Sequence, residues 1–344
     1  MIRKTFRVGE ESVDAARGTV LCRDVTIGGP GQAKTLRRGT RVDDALIATV
    51  LLQPGTILDV LSAEPGDIDQ AAASLRTAQA LAGPGVEFAP PHQGQCILKA
   101  RHDGLLRIDQ RSIIGINEPG ILLVATGLDG RVVRTGDTLA VVKAAQLWVD
   151  EITVSRVLRE VAAVPPIRVA RFQVTKAAFL AGRRIRPGNF ATATHTLQAA
   201  LATYGVELVA ARHLPRDDVD AIGNAFQQCF AAGAELLLVA GSIALDPEDP
   251  FLQAVARLTD VSLQTGAPIE PGTMFWVAQT SHSVMFGLAS CELYGRLSIL
   301  DLLLPYAIAR QPIDRRLLAE LGYGGLLEQT FTARRSAPPH FDAR

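Results

Sequence analysis

Beyond Val164-Pro165-Pro166, segments typical of strands alternate along the chain with segments typical of helices. Apolar runs predict strands at 167–172, 206–211 and 235–239, and helices are predicted at 191–204 and 217–232. Such alternation favours a mainly parallel sheet that is covered by helices on both faces. We therefore expect an α/β domain with a three-layer, doubly wound, mainly parallel sheet at residues 167–312.

The part of the chain before this alternation is β-rich. Short apolar runs beside glycine or proline predict strands at 50–52, 57–61, 121–124 and 139–142. Apolar residues spaced by three and four predict a helix over 67–82, and a second helix is predicted over 150–163. We place a β-rich domain at 1–150, a connecting helix and linker at 151–166, and a helical end at 313–344 whose tail, from Thr332, is predicted to be mobile.

Three local patterns add detail. The stripe of Val219, Ile222, Phe226 and Cys229 marks the core-facing side of the helix at 217–232, which Gly233 ends. The segments 273–279 and 283–288 predict a hairpin or two adjacent strands, and a further helix is predicted at 298–310. The glycines around Pro30 predict a hairpin loop, because this stretch lacks both a dinucleotide fingerprint and the lysine of a P-loop.

Composition excludes several classes of partner. The 35 basic and 35 acidic residues cancel, so the chain lacks the overall charge for non-specific binding of nucleic acid. Its apolar runs are far shorter than the roughly 18 residues of a membrane helix, and its start has no apolar core of signal-peptide length. We therefore expect a cytoplasmic protein that binds neither nucleic acid nor membrane. The four cysteines are widely separated, which predicts free thiols, and the histidines show no metal-ligand spacing.

The segment 235–251 is the strongest candidate for a functional site. A short apolar run is followed by Ala240-Gly241-Ser242, then by Asp246, and then by Asp249 with Pro250. In open α/β sheets a strand, a loop of small residues and a capped helix start form a binding site for phosphate groups. Small residues allow a ligand to approach the main chain, and the Ser242 hydroxyl is suited to donate to a phosphate.

Asp249 and Asp246 each have two interpretations from the local sequence. Asp249 followed by proline is typical of a helix cap, and such a cap contributes on the order of 1 kcal/mol. Beside a phosphate the same carboxylate is suited to hold Mg²⁺ that bridges to phosphate oxygens. Asp246 either shares this role or begins a turn. If either residue is catalytic, these two aspartates are the candidates.

Three loops are predicted to meet at one edge of the sheet. Loop one comprises residues 240–249, loop two residues 266–272 and loop three residues 287–291. Loops one and three follow strands, and loops at the carboxyl ends of strands form the ligand crevice of a doubly wound sheet. Loop two, with Pro271-Gly272, is expected to form a wall of the pocket. Each loop alone also has a simpler interpretation, in which its glycines and prolines only turn the chain.

Together these loops resemble the molybdopterin-binding family, which includes molybdopterin adenylyltransferases and molybdenum insertases. The similarity is greatest to a bacterial branch of stand-alone molybdopterin-binding proteins. That branch has a small-small-serine loop and two aspartates three apart, matched by Ala240-Gly241-Ser242, Asp246 and Asp249. Its next two segments are matched by residues 266–272 and 287–291. Earlier segments also resemble the branch, at 36–43, 63–67, 104–117 and 136–143, so the likeness runs from about residue 18 to 309.

The chain also departs from the family pattern at its loops. Ala240 replaces the first glycine of a pair, and Glu248 occupies a position that is often arginine. Thr273 replaces the lysine of insertases, and Ala289-Ser290 replaces proline-glycine. The extra negative charge of Glu248 opposes the binding of an anion. The resemblance therefore implies ancestry and the place of the pocket more strongly than it implies turnover.

The resemblance implies a molybdopterin-binding fold and a pterin ligand. We expect binding of molybdopterin or a molybdenum-cofactor precursor, in synthesis, storage or delivery of the cofactor. The implied binding residues are Gly241, Ser242, Asp249, Pro271, Gly272 and Ser290, with Mg²⁺ at Asp249. Expected protein partners are a molybdoenzyme, another protein of cofactor biosynthesis, or a second copy of the chain. One alternative is a magnesium-dependent adenylyltransferase or insertase, and another is a degenerate member that serves only in protein assembly.

Overall fold

The computed structural model describes residues 1–10, 12–28, 33–159 and 164–327. The chain divides into two compact units. The first comprises Met1–His102 and Leu106–Val169, and the second comprises Asp103–Leu105 and the chain from Ala170 onward. Both contain helices and strands, so the architecture is mixed α/β. The predicted domain limits remain a prediction.

The first unit is built mainly from short strands. Its strands are β1 (Ile2–Arg7), β2 (Val20–Leu21), β3 (Val25–Ile27), β4 (Lys34–Leu36), β5 (Ile57–Ser62), β6 (Asp67–Asp69), β7 (Val86–Phe88), β8 (Gln95–Ala100), β9 (Gly104–Ile108, which begins in the second unit), β10 (Leu122–Thr126), β11 (Val132–Val133), β12 (Thr138–Ala144), β13 (Trp148–Asp150) and β14 (Ile167–Ala170, which ends in the second unit). Its helices are a 3₁₀ turn (Val13–Ala16), α1 (Asp44–Leu51), α2 (Gln70–Leu81), α3 (Gln110–Asn117) and α4 (Glu151–Arg159). Two separate apolar cores hold it together, one within residues 6–60 and one within residues 73–169.

Most predicted elements of the first unit are present, with one error. Strands β5, β10 and β12 confirm three of the four predicted runs. The prediction of a strand at 50–52 is wrong, because Val50 and Leu51 end helix α1, which Asp43 caps by accepting from the Leu46 N–H at 2.8 Å. The apolar run was too short to distinguish a buried strand from the end of a helix.

Two other boundaries in this unit differ from the sequence expectation. Helix α2 begins at Gln70 and not at Asp67, because residues 67–69 form β6, which pairs with β13. Strands β3 and β4 pair antiparallel, as expected for a hairpin, but residues 29–32 of its loop lie outside the described residues. The predicted helix at 150–163 is described as far as Arg159, and its remaining residues lie outside the described ranges. The tail from Thr332 also lies outside the described ranges.

The second unit contains one larger sheet. Its strands are β15 (Lys176–Ala181), β16 (Glu207–His213), β17 (Leu236–Ala240), β18 (Ser262–Thr265), β19 (Trp276–Gln279) and β20 (Val284–Leu288). Its helices are α5 (Pro187–Ala202), α6 (Val219–Ala231), α7 (Pro250–Ala256), α8 (Ser290–Leu293), α9 (Ile299–Ile308) and α10 (Arg315–Leu321). None of the helices within the described ranges is long and apolar enough to cross a membrane.

The six strands of this sheet lie in the order β16-β15-β17-β20-β19-β18. The first four are mutually parallel, and β19 is antiparallel to both of its neighbours. The sheet is therefore mixed, with an antiparallel hairpin at 276–288 that confirms the predicted one. Strands β15, β16, β17, β18 and β20 all end at the same edge, which we call the carboxyl edge.

Alternate side chains of the central strands enter two different cores. Phe179 and Leu238 belong to the core that includes α5 and α9, whereas Leu180 and Leu237 belong to the core that includes α6 and α7. Five of the six residues of β15 are buried, Lys176 being the exception, and every residue of β17 is buried. Continuous burial of this kind is typical of strands that are covered on both faces.

Strand β15 was missed by the sequence prediction. Its sequence, Lys-Ala-Ala-Phe-Leu-Ala, is rich in alanine, which has low β-propensity, yet it lies between β16 and β17. The predicted strand at 167–172 does form, as β14, but it belongs to a different, three-stranded sheet. Membership of a sheet depends on long-range pairing, which the local pattern does not contain.

The predicted helices of the second unit are present with small shifts. Helix α5 begins at Pro187, four residues before the expected start, because proline is favoured in the first turn. Helix α6 is capped by Asp218, buries the predicted stripe at Ile222, Phe226 and Cys229, and ends just before Gly233. Gly233 has a φ of 88°, which explains why glycine stands there.

Candidate functional site

The three predicted loops lie at the carboxyl edge. Ala240, at the end of β17, is the register partner of Leu288, at the end of β20, so loops one and three leave the sheet side by side. Loop two connects β18 to β19, where Thr265 pairs with Trp276 at the same edge. Strands are spaced by about 4.8 Å, so loop two lies two to three strands away from loop one. All three loops thus lie at one edge of the sheet in the second unit, with loops one and three adjacent and loop two farther along the edge.

Asp249 organises loop one through a buried carboxylate. Its Oδ1 accepts from the Ser242 hydroxyl at 2.9 Å and from the Phe251 N–H at 3.0 Å, and its Oδ2 accepts from the Ile243 N–H at 2.8 Å. The bond to Phe251 is the helix cap that Asp249-Pro250 predicted. The side chain is 0% exposed. Asp249 therefore joins both ends of the loop to the start of α7.

Ser242 connects this carboxylate to the antiparallel part of the sheet. Its oxygen accepts from Trp276 Nε1 at 3.0 Å while its hydroxyl donates to Asp249. The indole reaches Ser242 by passing over Gly287, because a methyl group built on Gly287 would lie 1.9 Å from Trp276 Nε1. The glycine that begins loop three thus makes room for a contact between β19 and loop one. No local signal in the sequence pointed to Trp276.

Asp246 forms a turn within loop one. Its carboxylate accepts from the Glu248 N–H at 3.0 Å, and its main-chain oxygen accepts from the Asp249 N–H at 3.0 Å. Glu248 is exposed and accepts from the Gln253 amide at 3.1 Å. This geometry matches the turn interpretation of Asp246, and its role toward a ligand stays a prediction.

Loop two is attached to the start of helix α9. The Ile299 N–H donates to the Pro271 carbonyl at 3.2 Å. Gly272 has a φ of 131°, and a methyl group built there would lie 2.5 Å from the Ile299 side chain. Thr273 donates through its hydroxyl to the Glu270 carboxylate at 2.7 Å. A cavity of about 280 Å³ borders this loop and is lined by Gly266, Ala267, Pro268, Arg315 and Ala319.

Loop three leads into the short helix α8 and a buried acid. Helix α8 begins at Ser290, whose side chain lies outside the description, so its predicted contact with a ligand stays a prediction. The Cys291 thiol donates to Glu292 Oε2 at 3.1 Å. Burial and the neighbouring carboxyl of Glu292 raise the pKa of this thiol to about 11, and burial likewise raises the pKa of Glu292. Glu292 Oε1 is buried without a hydrogen-bond partner among the described residues.

A fourth loop at the carboxyl edge was missed by the sequence prediction. Residues 182–186, which we call the arginine loop, follow β15 and carry Arg183, Arg184 and Arg186. The Gly182 N–H donates to the Ala240 carbonyl at 2.8 Å, so this loop lies directly beside loop one. Arg184 Nη1 is 3.5 Å from Asp249 Oδ2 and 3.5 Å from the Gly241 carbonyl oxygen. The signal in the sequence was the run of arginines before Pro187-Gly188, but it became visible only once β15 was known.

The geometry gives no support to magnesium at Asp249. Both carboxylate oxygens accept from donors of the loop, and the side chain is fully buried. Within the described ranges no group of three or more His, Cys, Asp and Glu residues is arranged to hold a metal ion. A Mg²⁺ site needs several oxygen ligands or waters at about 2.0–2.1 Å. The residues present here do not fit that requirement.

Comparison with known proteins gives structural likenesses only. No family model matches the chain, and no curated protein matches it. Among solved structures, the molybdopterin biosynthesis enzyme MoaB of Thermus thermophilus is 15% identical, with a TM-score of 0.31, over 41% of this chain and 100% of that one. The molybdopterin biosynthesis Mog protein of Mycobacterium ulcerans is 16% identical, with a TM-score of 0.30, over 39% of this chain and 94% of that one.

A third solved structure, molybdenum cofactor biosynthesis protein B, is 16% identical with a TM-score of 0.30, over 48% of this chain and 99% of that one. Proteins of molybdopterin biosynthesis are therefore among the structures that this chain resembles over part of its length. Because the identities and TM-scores are this low, the likenesses carry no argument about function. The mixed α/β architecture rests on the strands and helices described above.

Proposed function

We propose that the second unit binds molybdopterin or a molybdenum-cofactor precursor at its carboxyl edge, in synthesis, storage or delivery of the cofactor. The observation that carries this proposal is that loops one, two and three, which hold the three motifs of the family resemblance, all lie at one edge of the sheet. Under this proposal the sheet is a variant of the doubly wound molybdopterin-binding type. The cofactor would pass to a molybdoenzyme or to another protein of cofactor biosynthesis.

The proposed roles follow from how each residue is held. Gly241 contacts the ligand through its main chain, which has a φ of 96° and packs against Gly182 without a side chain. Ser242 contributes its main-chain N–H beside Gly241, and its hydroxyl is held by Asp249 and Trp276. Pro271 with Gly272 forms a fixed wall against α9. Ser290 extends the site from loop three. Asp249 acts through Ser242 and Ile243 as a positioning residue, because its own carboxylate is buried.

Binding without turnover is the function that the site supports best. An adenylyltransferase or insertase would need a metal-assisted transfer step, and the donor set around Asp249 does not fit magnesium. A purely structural role would leave unexplained why the small residues of loop one, the wall of loop two and the start of loop three share an edge. No specific observation favours either alternative.

The test is retention of the pterin. The protein is incubated with molybdopterin, re-isolated and oxidised, and the bound pterin is measured by its fluorescence. We expect the wild type to retain pterin at micromolar protein and Ser242→Ala to bind at least about tenfold less tightly, equivalent to about 1.4 kcal/mol. Ser262→Ala, at an exposed position of β18, is the matched control and should retain pterin like the wild type.

Three outcomes would change the proposal. Absence of pterin from the re-isolated wild type would refute binding. Equal retention by wild type and Ser242→Ala, with both folded by circular dichroism, would place the site elsewhere. Consumption of ATP or molybdate by the pterin-loaded protein would make the enzyme alternative the better description, and adding or chelating Mg²⁺ would show whether a metal takes part.

A further inference from the structure

The arginine loop concentrates positive charge at the carboxyl edge. Its sequence, Gly-Arg-Arg-Ile-Arg, places three guanidinium groups within residues 182–186. The register of β15 with β17, in which Ala181 pairs with Ala240, fixes the loop beside Gly241. A methyl group on Gly241 would lie 3.3 Å from the Gly182 nitrogen, so the two loops are closely packed. The pairing of β15 with β17 therefore determines where the main chain of the arginine loop lies.

Arg184 is the arginine that touches loop one. Its Nη1 contacts the Asp249 carboxylate and the Gly241 carbonyl, both at 3.5 Å, and its side chain is 47% exposed. Charge-assisted hydrogen bonds between a guanidinium and an oxygen are about 2.7–2.9 Å long, so both contacts are long. A guanidinium carries five N–H donors. Arg184 is thus held at the mouth of loop one with most of its donor capacity unused.

The acidic groups that face these arginines do not saturate them. Arg183 Nε is 3.8 Å from Asp217 Oδ2, and Arg183 is 72% exposed. Asp249 already accepts three shorter hydrogen bonds, two from Ser242 and Ile243 of loop one and one from Phe251 of α7. The other acids of loop one, Asp246 and Glu248, accept from the Glu248 N–H and from Gln253 respectively. Arg186 is exposed and makes no ion pair with a described residue.

We propose that Arg184 is the residue that binds the anionic group of the ligand, with Arg183 and Arg186 adding long-range attraction. The ligand class is a small molecule with a phosphate, and its identity as a pterin rests on the function proposed above. On binding, the guanidinium exchanges its two long contacts for a bidentate pair with phosphate oxygens. Such fork geometry is specific to arginine.

Binding of the anion by Arg184 explains how loop one can border a phosphate site although its own residues disfavour an anion. Glu248 adds negative charge where a phosphate is expected, and the Ser242 hydroxyl proton is already donated to Asp249. Loop one alone is therefore a poor site for an anion. The arginine loop, which follows the neighbouring strand β15, supplies positive charge beside Gly241. The anionic group would then lie between Gly241 and the start of α5.

The experiment uses inorganic phosphate and the full chain. Phosphate affinity is measured by calorimetry and by ³¹P chemical-shift titration for the wild type, Arg184→Gln, Arg184→Lys and Arg257→Gln. Arg257 is a matched control, because it is an exposed arginine of the same unit that pairs with Asp220 at 2.7 Å. We expect Arg184→Gln to weaken phosphate binding at least about tenfold and Arg184→Lys to weaken it several-fold. Arg257→Gln should bind like the wild type.

Arg184→Lys also guards against a folding defect, because it keeps a positive charge beside the buried Asp249. Equal phosphate affinity of the wild type and both folded Arg184 variants would overturn the proposal, and so would a wild type that binds no phosphate at millimolar concentration. Pterin retention is scored separately. If the wild type binds phosphate through Arg184 but retains no pterin, the anion site stands and the proposed function fails. If pterin is retained equally by Arg184→Gln, the function stands and this inference fails.

Discussion

At the scale of single residues, the site depends on contacts that join distant parts of the sequence. Asp249 as a helix cap could be predicted, because aspartate before proline has a local preference for that position. Its bonds to Ser242 and Ile243 could not, since they need the whole loop to fold back. The bond from Trp276 to Ser242 crosses a neighbouring strand and has no signature in the sequence.

Gly287→Ala should be strongly destabilising. The added methyl group would lie 1.9 Å from Trp276 Nε1, so the indole must move and lose its bond to Ser242. We expect the free energy of unfolding to fall by about 3 kcal/mol, from overpacking and one lost hydrogen bond. Denaturant unfolding followed by circular dichroism measures this change. Gly223→Ala is the control, since a methyl group there meets no atom within 4 Å inside helix α6, and it should stabilise by about 0.5 kcal/mol.

Glu292→Gln should change how stability depends on pH. Burial raises the pKa of Glu292 above its ordinary value of 4.5, so the folded state keeps a proton that the unfolded state loses. The stability that Glu292 contributes is fully present below pH 4.5 and is lost as the pH rises through the raised pKa. The loss in unfolding free energy is at most about 1.4 kcal/mol per pH unit. Glutamine mimics the protonated form. The variant should therefore gain stability over the wild type as the pH rises above 4.5.

Thermal unfolding of both proteins between about pH 4 and pH 8 measures this difference. Asp301, whose pKa burial also raises, is present in both proteins and cancels in the comparison. Glu320→Gln, at an exposed position of α10, should shift stability by less than about 0.5 kcal/mol. A gap between Glu292→Gln and the wild type that stays constant with pH would contradict the expectation.

At the scale of elements, local chemistry determined the helices better than the strands. Helices α6, α7 and α9 are each preceded by a residue whose side chain caps the helix, namely Asp218, Asp249 and Ser298. Their starts could be read from residue type. Strand β15 is alanine-rich, and its strand conformation comes from pairing with β16 and β17. The misassigned run at 50–52 includes the end of helix α1, whose start is also fixed by a local cap, Asp43.

Ser298→Ala should weaken helix α9 and, with it, loop two. The Ser298 hydroxyl oxygen accepts from the Leu300 N–H at 3.2 Å, and Asp301 accepts from the Ser298 N–H at 2.9 Å, so the two residues form a capping box. We expect a loss of about 1–2 kcal/mol in unfolding free energy. Because the Ile299 N–H holds Pro271, hydrogen exchange should also accelerate in residues 266–272. Ser262→Ala should leave both quantities unchanged.

At the scale of the whole molecule, two features of the sequence had clear consequences. The alternation beyond residue 166 correctly indicated an α/β sheet, and the turn-rich first half correctly indicated many short strands. The order of the strands was not predictable, because it depends on which strands meet across long separations. The arginine loop was overlooked for the same reason.

The balance of charge should control self-association. The chain has 35 basic and 35 acidic residues and six histidines, so its formal net charge is zero at pH 7. Proteins without net charge repel one another weakly. Static light scattering should therefore show the most attractive interaction near pH 7, with repulsion increasing toward about pH 5.5 and toward about pH 9, where the net charge departs from zero. A specific homo-oligomer would instead keep its mass at all three values.

The position of Trp276 has a practical consequence. The chain contains two tryptophans, and the indole N–H of Trp276 is bound to the Ser242 hydroxyl inside loop one. The emission wavelength of an indole depends on the hydrogen bonding of its N–H. A ligand that displaces Ser242 from this N–H should therefore shift the fluorescence emission of Trp276. With Trp148 replaced by phenylalanine, the protein carries a single built-in optical probe of its candidate site. Occupancy can then be followed in real time without any attached label.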